Sequence, residues 1–348
     1  MMLLLDIPDI CAMVSQVGLK NFYSRLAEYL TEDFSKWEQF QKSPRHGVTV
    51  PNGIIELMPI ANDTYYTYKY VNGHPNNPQH NKLNVVGVGM LADVETGYPL
   101  MLTEMTLLTG LRTAATSALA SRHLARKDSK SLAIIGCGAQ SEFQVLAHHA
   151  LLDITEVRYY DLEPAAMQRF TKHLHNTGLQ LKPMPDTRTA IAQADIIITA
   201  TAAKGKQHVL QNAWLEAGQH ISAIGGDSPG KTELDPEILK HATVVVEFFP
   251  QTLHEGEIQN LGAQAKDFVY AELWEIVSGN KPGRRNDQEI TLFDGVGFAL
   301  EDFSTLRLCY QLAQELHIGK STNMIPDKIA DCKNLFGLLA GDAGCVKN

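Results

Sequence analysis

The sequence contains no apolar run near the roughly 18 residues needed to cross a bilayer, which argues against a membrane span. Cysteine is scarce: five residues, at 11, 137, 309, 332 and 345, form no CxxC pair. Neither a disulfide framework nor a zinc site is expected, and the usage suits a reducing cytoplasm. Positive charge is in deficit. A net charge of −9 argues against a nucleic-acid surface, which needs a basic face, yet leaves room for a basic pocket around an anionic substrate. The opening MMLLLD has no basic segment before it and is interrupted by Asp6 and Pro8, so a secretory signal is not expected. Internal repeats and low-complexity linkers are missing too. The most loop-like stretch is GNKPGRRND, 279–287.

What is present describes an ordinary soluble globular protein: 44% apolar and 20% charged residues can build and solvate a core without staples. A chain of 348 residues has room for two domains. Residues 1–112 mix a helical SRLAEYLTEDFSKWEQF with strand-like GIIELMPI, YYTYKYV and NVVGVGMLADV. From about 113 the helical TAATSALASRHLA leads into strand-like SLAIIGCG, EVRYYDL, ADIIITAT, HISAIGGD and ATVVVEF, separated by helical stretches such as SEFQVLAHHALL. That alternation predicts a parallel sheet covered by helices on both faces. After 297, amphipathic FALEDFSTLRLCYQLAQEL is expected to leave this sheet and return to the first region. His148–His149 and the HLH at 173–175 have no matched acidic ligands, so packed or surface histidines, and no metal, are expected.

SLAIIGCGAQSEFQ supplies a strand, Gly136-x-Gly138 and a helix start. Such a turn brings the backbone close to a pyrophosphate and points free helix N–H groups at it. Ser141 stands where a third glycine is usual, and its side chain is small enough for close packing. The next strand ends in Asp161, 25 residues after Gly136, slightly beyond the roughly 20 expected of a ribose-binding acid. A flavodoxin-like turn can use the same glycines for geometry alone; strand, helix and acid together favour a dinucleotide. Asp161 favours NAD, because a carboxylate repels the 2′-phosphate of NADP. The expected fold class is α/β: a Rossmann-type parallel-sheet NAD domain over 116–302. Beside it stands a mixed α+β domain, 1–115, completed by 303–348. GGDSPGKTEL, 225–234, sits at the end of one of the strands, and a surface turn explains its glycines and proline better than it explains Asp227.

Seven segments occur in a recognisable order: KSPRHG with Arg45, IIELMPI with Glu56, YKYVNGHP with Lys69, LTGLRTAATSALA with Arg112, IGCGAQSEFQ, AIGGDSPGKTEL and FDGVGFALED. Together they resemble the ornithine cyclodeaminase/μ-crystallin family, from near the N-terminus to about residue 318. KYVNGHP and GGDSPGKTEL favour its cyclodeaminase branch. The resemblance implies NAD as cofactor and a homodimer made by the first domain. Arg45, Lys69 and Arg112 match positions that hold a substrate α-carboxylate, three cations whose repulsion is offset by the bound anion. Glu56 matches an acid near the distal amine, and Val296 a further substrate contact. Asp227 matches the acid/base residue. Asn84, Arg112, Gly136, Gly138, Ala139, Gln140, Asp161, Thr201, Ile224, Gly225, Gly226, Asp227, Lys231 and Gly295 match cofactor-binding positions. Two residues depart from the pattern: Asn84 stands where close relatives carry Thr, and Gly295 where they carry Ser.

The implied activity is redox-neutral conversion of L-ornithine to L-proline and ammonia by a cytoplasmic NAD-dependent ammonia-lyase. Other enzymes on the same scaffold compete: a lysine cyclodeaminase, an NADH-dependent ketimine reductase or an amino-acid dehydrogenase. A crystallin-like protein that only binds NAD is the remaining alternative, and it has no evident need for Asp227.

Overall fold

In the computed structural model of the chain, residues 1–201, 205–326 and 331–341 are described; Cys345 and parts of the expected 303–348 segment lie outside them. The first region runs β1 (Met2–Leu5), α1 (Ile7–Val17), α2 (Leu19–Ser35), β2 (Gln41–Lys42), β3 (His46–Val50), β4 (Gly53–Ala61), β5 (Tyr65–Gly73), β6 (Val85–Asp93), β7 (Pro99–Glu104) and α3 (Thr106–Leu124). Its strands lie in the order β1-β7-β6-β5-β4-β2, with β3 also on β4. Side chains alternate along these strands. Glu56, Met58 and Ile60 of β4 and Thr67, Lys69 and Val71 of β5 point into the protein, while Leu57, Tyr66 and Tyr70 face outward. The helical pattern expected from about 113 begins earlier, at Thr106. Glu104 causes this: its Oε1 accepts the backbone N–H groups of Thr106 and Leu107, capping the helix start. Gly110 inside α3 allows close helix approach, since a Cβ there would meet the Phe143 ring at 2.9 Å.

The second region runs β8 (Ser131–Ile135), α4 (Ser141–Leu152), β9 (Glu156–Tyr160), α5 (Pro164–Leu174), β10 (Gln180–Pro183), α6 (Thr187–Ile191), β11 (Ile196–Thr199), β12 (Lys206–Leu210), β13 (His220–Ala223), β14 (Thr232–Leu234), α7 (Pro236–His241), β15 (Thr243–Val246), α8 (Phe249–Glu255), α9 (Ala265–Phe268), β16 (Val269–Glu272), α10 (Leu273–Val277) and β17 (Thr291–Asp294). Its main sheet is parallel, in the order β10-β9-β8-β11-β13-β17-β15-β16. β8, β11, β13, β15 and β17 are almost wholly buried, as apolar runs covered on both faces should be. The strand order reverses between β8 and β11, the place where open α/β sheets bind ligands.

Then α11 (Ala299–Leu316) crosses back to pack on α2 and on β4, β5 and β6. β18 (Lys320–Thr322) closes the first sheet against β1, and a short α12 (Gly337–Ala340) follows. One core runs from α2, α3 and α11 to Val245 and Phe293 of the second sheet. Trp37 fills the seam, stacked on Trp274 at 6.0 Å and tilted against Phe298 at 5.6 Å.

Candidate active site

Parallel pairing delivers the site. Ala223 of β13 and Val246 of β15 both pair with Asp294 of β17, so three neighbouring strands end in register. From those ends emerge Ile224 to Asp227, Glu247, and Gly295 to Gly297. The inner face of β4 and β5 and the first turn of α11 supply the opposite wall. Glu301 and Asp302 lie in that first turn, where the helix dipole favours acids.

Lys69 Nζ lies 2.9 Å from Asp302, and Arg112 Nε lies 3.0 Å from the same carboxylate. Arg112 Nη1 also reaches Glu301 at 2.8 Å. Arg45, in the loop between β2 and β3, places Nη1 3.3 Å from Glu56 and Nε 3.2 Å from Glu255, and its Nη2 donates to the carbonyls of Val296 and Gly297 at 2.7 and 2.6 Å. Gln251 helps to hold this corner, accepting from Arg45 N at 3.1 Å and donating to Gly297 O at 2.7 Å. Burial, reinforced by repulsion from Arg112, pushes the Lys69 ammonium down to about 8, against the attraction of Asp302. Glu247 accepts the N–H groups of Val296 and Gly297 at 2.9 and 2.6 Å. Burial and the neighbouring Glu301 hold its carboxyl well above the usual range.

This corrects one expectation. Arg45, Lys69 and Arg112 converge, but their repulsion does not wait for a bound anion to be offset: Glu56, Glu255, Glu301 and Asp302 already match them. Unpaired cations at this depth would carry too large a desolvation cost.

The GGD loop is built on more buried acids. A Cβ on Gly225 would fall 2.2 Å from the Glu233 carboxylate, and one on Gly226 would fall 2.6 Å from Glu257 Oε1. Glu233 accepts Thr201 N at 2.7 Å, while Glu257 accepts the N–H groups of Glu233 and Leu234 at 2.7 and 3.1 Å. Ile224 donates its N–H to Thr199 O at 3.1 Å. Asp227 projects beyond this layer with its side chain half exposed, paired with Lys231 at 3.0 Å.

The glycine turn fits a dinucleotide. Gly136 has φ +99°, and a Cβ there would strike Ala200 O at 2.5 Å, so only glycine serves. A Cβ on Gly138 would point into open space, which leaves room for a pyrophosphate beside the backbone. Among the described residues, no acceptor meets the backbone N–H groups of Gly138, Ala139 and Gln140 at the start of α4, and Gln140 Oε1 is buried without a donor. Asp161 accepts Cys137 N at 2.7 Å and Glu163 N at 2.8 Å, one bond per oxygen, which leaves each oxygen a second acceptor position. Ser141 donates to Gly138 O at 2.7 Å, tightening the turn where a third glycine is usual.

The two departures behave differently. Asn84 is exposed before β6, with its carbonyl accepting His74 N at 2.8 Å. Gly295 is enclosed: a Cβ there would meet the Phe293 ring at 2.8 Å. Sequence reasoning missed Glu247, Glu255, Glu301 and Asp302. A carboxylate inside an apolar run, as in VVVEFF and GFALEDF, was the signal available for three of them. His148 is a packed histidine, bonded to Ser121 Oγ at 2.9 Å and Gln144 O at 2.8 Å.

The sequence pattern of the ornithine cyclodeaminase/mu-crystallin family matches residues 9–316. The ornithine cyclodeaminase of Agrobacterium fabrum is 45% identical over 338 residues, 96% of this chain and 94% of that one. A lysine cyclodeaminase structure superposes with a TM-score of 0.89 at 31% identity, covering 97% of this chain and 99% of that one. An archaeal alanine dehydrogenase dimer with bound NAD gives 0.86 at 32% identity, covering 93% and 99%. On its sequence, its fold and the arrangement of its site, this chain belongs to the ornithine cyclodeaminase/mu-crystallin family.

Proposed function

We infer that the protein is an NAD-dependent ornithine cyclodeaminase, converting L-ornithine to L-proline and ammonia. One observation carries the reading: a buried cluster of Arg45, Lys69 and Arg112 stands beside strand ends that present Asp227. Five curated ornithine cyclodeaminases that are 41–45% identical over nearly the whole chain support ornithine as substrate.

In this reading residues 116–302 form the NAD domain. Residues 1–115 with 303–348 form the substrate and dimer domain. Gly136, Gly138, Ala139 and Gln140 would hold the pyrophosphate, and Asp161 the adenosine ribose. Asn84, Thr201, Ile224, Gly225, Gly226, Lys231 and Gly295 line the path to the nicotinamide. When bound, NAD would supply reversible hydride chemistry for Cα, which leaves the overall reaction redox-neutral. The chain's own residues position and move protons. Arg45, Lys69 and Arg112 attract the α-carboxylate by their charge. Val296 supports Arg45 through its carbonyl. Glu56 attracts the distal ammonium and holds the chain bent, so that Nδ attacks Cα within one molecule. Asp227 takes a proton from an amine and later returns one to the departing ammonia.

A homodimer belongs to the same proposal. The outer face of the first sheet carries the cross-strand row Leu57–Tyr70–Val88, with exposures of 46, 37 and 41%, an apolar stripe suited to a second copy. Val88→Glu should halve the mass in light scattering; an unchanged mass would move the interface elsewhere. Among the described residues no helix is long and apolar enough to cross a membrane, and a cytoplasmic location is part of the proposal.

The deciding assay mixes purified protein with L-ornithine and a trace of NAD⁺. Proline and ammonia in many-fold excess over NAD⁺, with no net NADH, is the expected result. NADH rising one-for-one with ammonia would make the protein an oxidative dehydrogenase. Turnover of L-lysine in place of L-ornithine would reassign the substrate.

A further inference from the structure

We propose that Glu255, acting with Glu56, is a specificity-determining residue that receives the distal ammonium of a diamino-acid substrate. The inference rests on the substrate reading above. Glu255 ends α8 and is 7% exposed. It and Glu56 bracket a single guanidinium, at 3.2 Å from Arg45 Nε and 3.3 Å from Nη1, and all three side chains are about nine-tenths buried. The remaining nitrogen of Arg45 is taken by two carbonyls. Although Glu255 Oε2 lies close to Arg45 Nε, neither atom makes a hydrogen bond, so the buried carboxylate keeps a vacant acceptor.

Charge counting gives that vacancy a meaning. Lys69 and Arg112 are matched by Asp302 and Glu301, and burial holds the Glu247 carboxyl well above the usual range. Lys231 is matched by Asp227. Glu56 and Glu255 are left with Arg45 alone, two carboxylates against one cation. Burial pushes the Glu255 carboxyl up to about 7; Arg45 opposes the rise, while Glu56 and Asp227 add to it. A neutral amino acid brings one carboxylate and one ammonium and leaves the excess negative charge in place. A diamino acid brings one further ammonium and cancels it. The position also suits the chemistry: Nδ must reach Cα to close a five-membered ring, and Glu255 lies against Arg45 and feels the charge of Asp227.

The test compares L-ornithine with L-norvaline, which has the same carbon chain and lacks the δ-amine. Both are titrated into NADH-loaded protein, where ornithine is not oxidised. Glu255→Gln should weaken ornithine about tenfold or more and norvaline less than about twofold, with Glu255→Asp recovering part of the loss. Equal weakening of both ligands would make Glu255 a prop for Arg45 and overturn the inference, as would unchanged ornithine binding. Wild-type protein that forms no proline from ornithine overturns the substrate reading, and the inference with it. Wild-type protein that does so, while Glu255→Gln keeps the ornithine-to-norvaline ratio, overturns the inference alone.

Discussion

On the first-sheet side of the site, every cation is buried and already matched: Lys69 and Arg112 share Asp302, and Arg45 lies between Glu56 and Glu255. On the second-sheet side, Asp227 and Lys231 form one pair at the mouth of the loop, with the aspartate half exposed. On the proposed function, the difference follows from what each side would do. A carboxylate grip needs fixed geometry, and buried ion pairs hold side chains rigid at a desolvation cost. A proton carrier must exchange protons with amines that come and go, and an exposed pair costs little to open. Rigidity is placed where binding occurs and looseness where protons move.

The largest expected effect tests the loose side. Asp227→Asn should lower kcat by about 10²–10⁴-fold. Its thermal unfolding should shift by no more than a loss of about 1 kcal/mol, because the pair with Lys231 is exposed. The opposite pattern is expected for Lys69→Met, which deprives buried Asp302 of one of its two cations. A stability loss of about 3–5 kcal/mol in denaturant titration should accompany the loss of activity. If Lys69→Met proves as stable as Asp227→Asn, the contrast between the two sides fails.

The loose side was the more legible in the sequence. Gly136, Gly138, Asp161 and the GGD loop announce themselves by residue type and by their place after apolar strands, because the chemistry there is carried by backbone and short-range spacing. The matched side was legible only in half. Arg45, Lys69 and Arg112 could be placed by family resemblance, but their partners come from α8 and α11, about 190 to 230 positions away along the chain. Pairing over that distance is a product of the fold, and spacing carries no trace of it. Glu56 shows the limit within one strand: alternation places it opposite in face to Leu57, but which face is buried depends on α11 packing against β4.

Gly295 lies where the two sides meet, on the strand end beside Val296. Introducing the serine that the family resemblance implies, by Gly295→Ser, would set a Cβ 2.8 Å from the Phe293 ring and push on a fully packed core. A loss of about 1–3 kcal/mol is expected, read from the denaturation midpoint. A neutral or stabilising result would mean that Phe293 can turn aside. The strand ends would then be softer than the matched side requires.

The smallest effect separates binding from stability at Lys69. With its ammonium pushed down from 10.5 to about 8, the folded protein binds fewer protons than the unfolded chain between those values, so this group makes stability rise with pH there. Affinity for a carboxylate should move the other way, because the grip needs the charged lysine. The Kd of pentanoate, which has no amine to titrate, should rise about tenfold for each pH unit above about 8. Glu255 loses its proton near 7 and repels a carboxylate above that value in wild type and variant alike, so Lys69→Arg isolates the share of the decline that belongs to the lysine. The arginine keeps its charge and faces the same Asp302, Arg112 and Arg45, so affinity should stay flat where the wild type declines. If both proteins decline together, the titrating group lies elsewhere, and the buried lysine is held charged by Asp302 throughout.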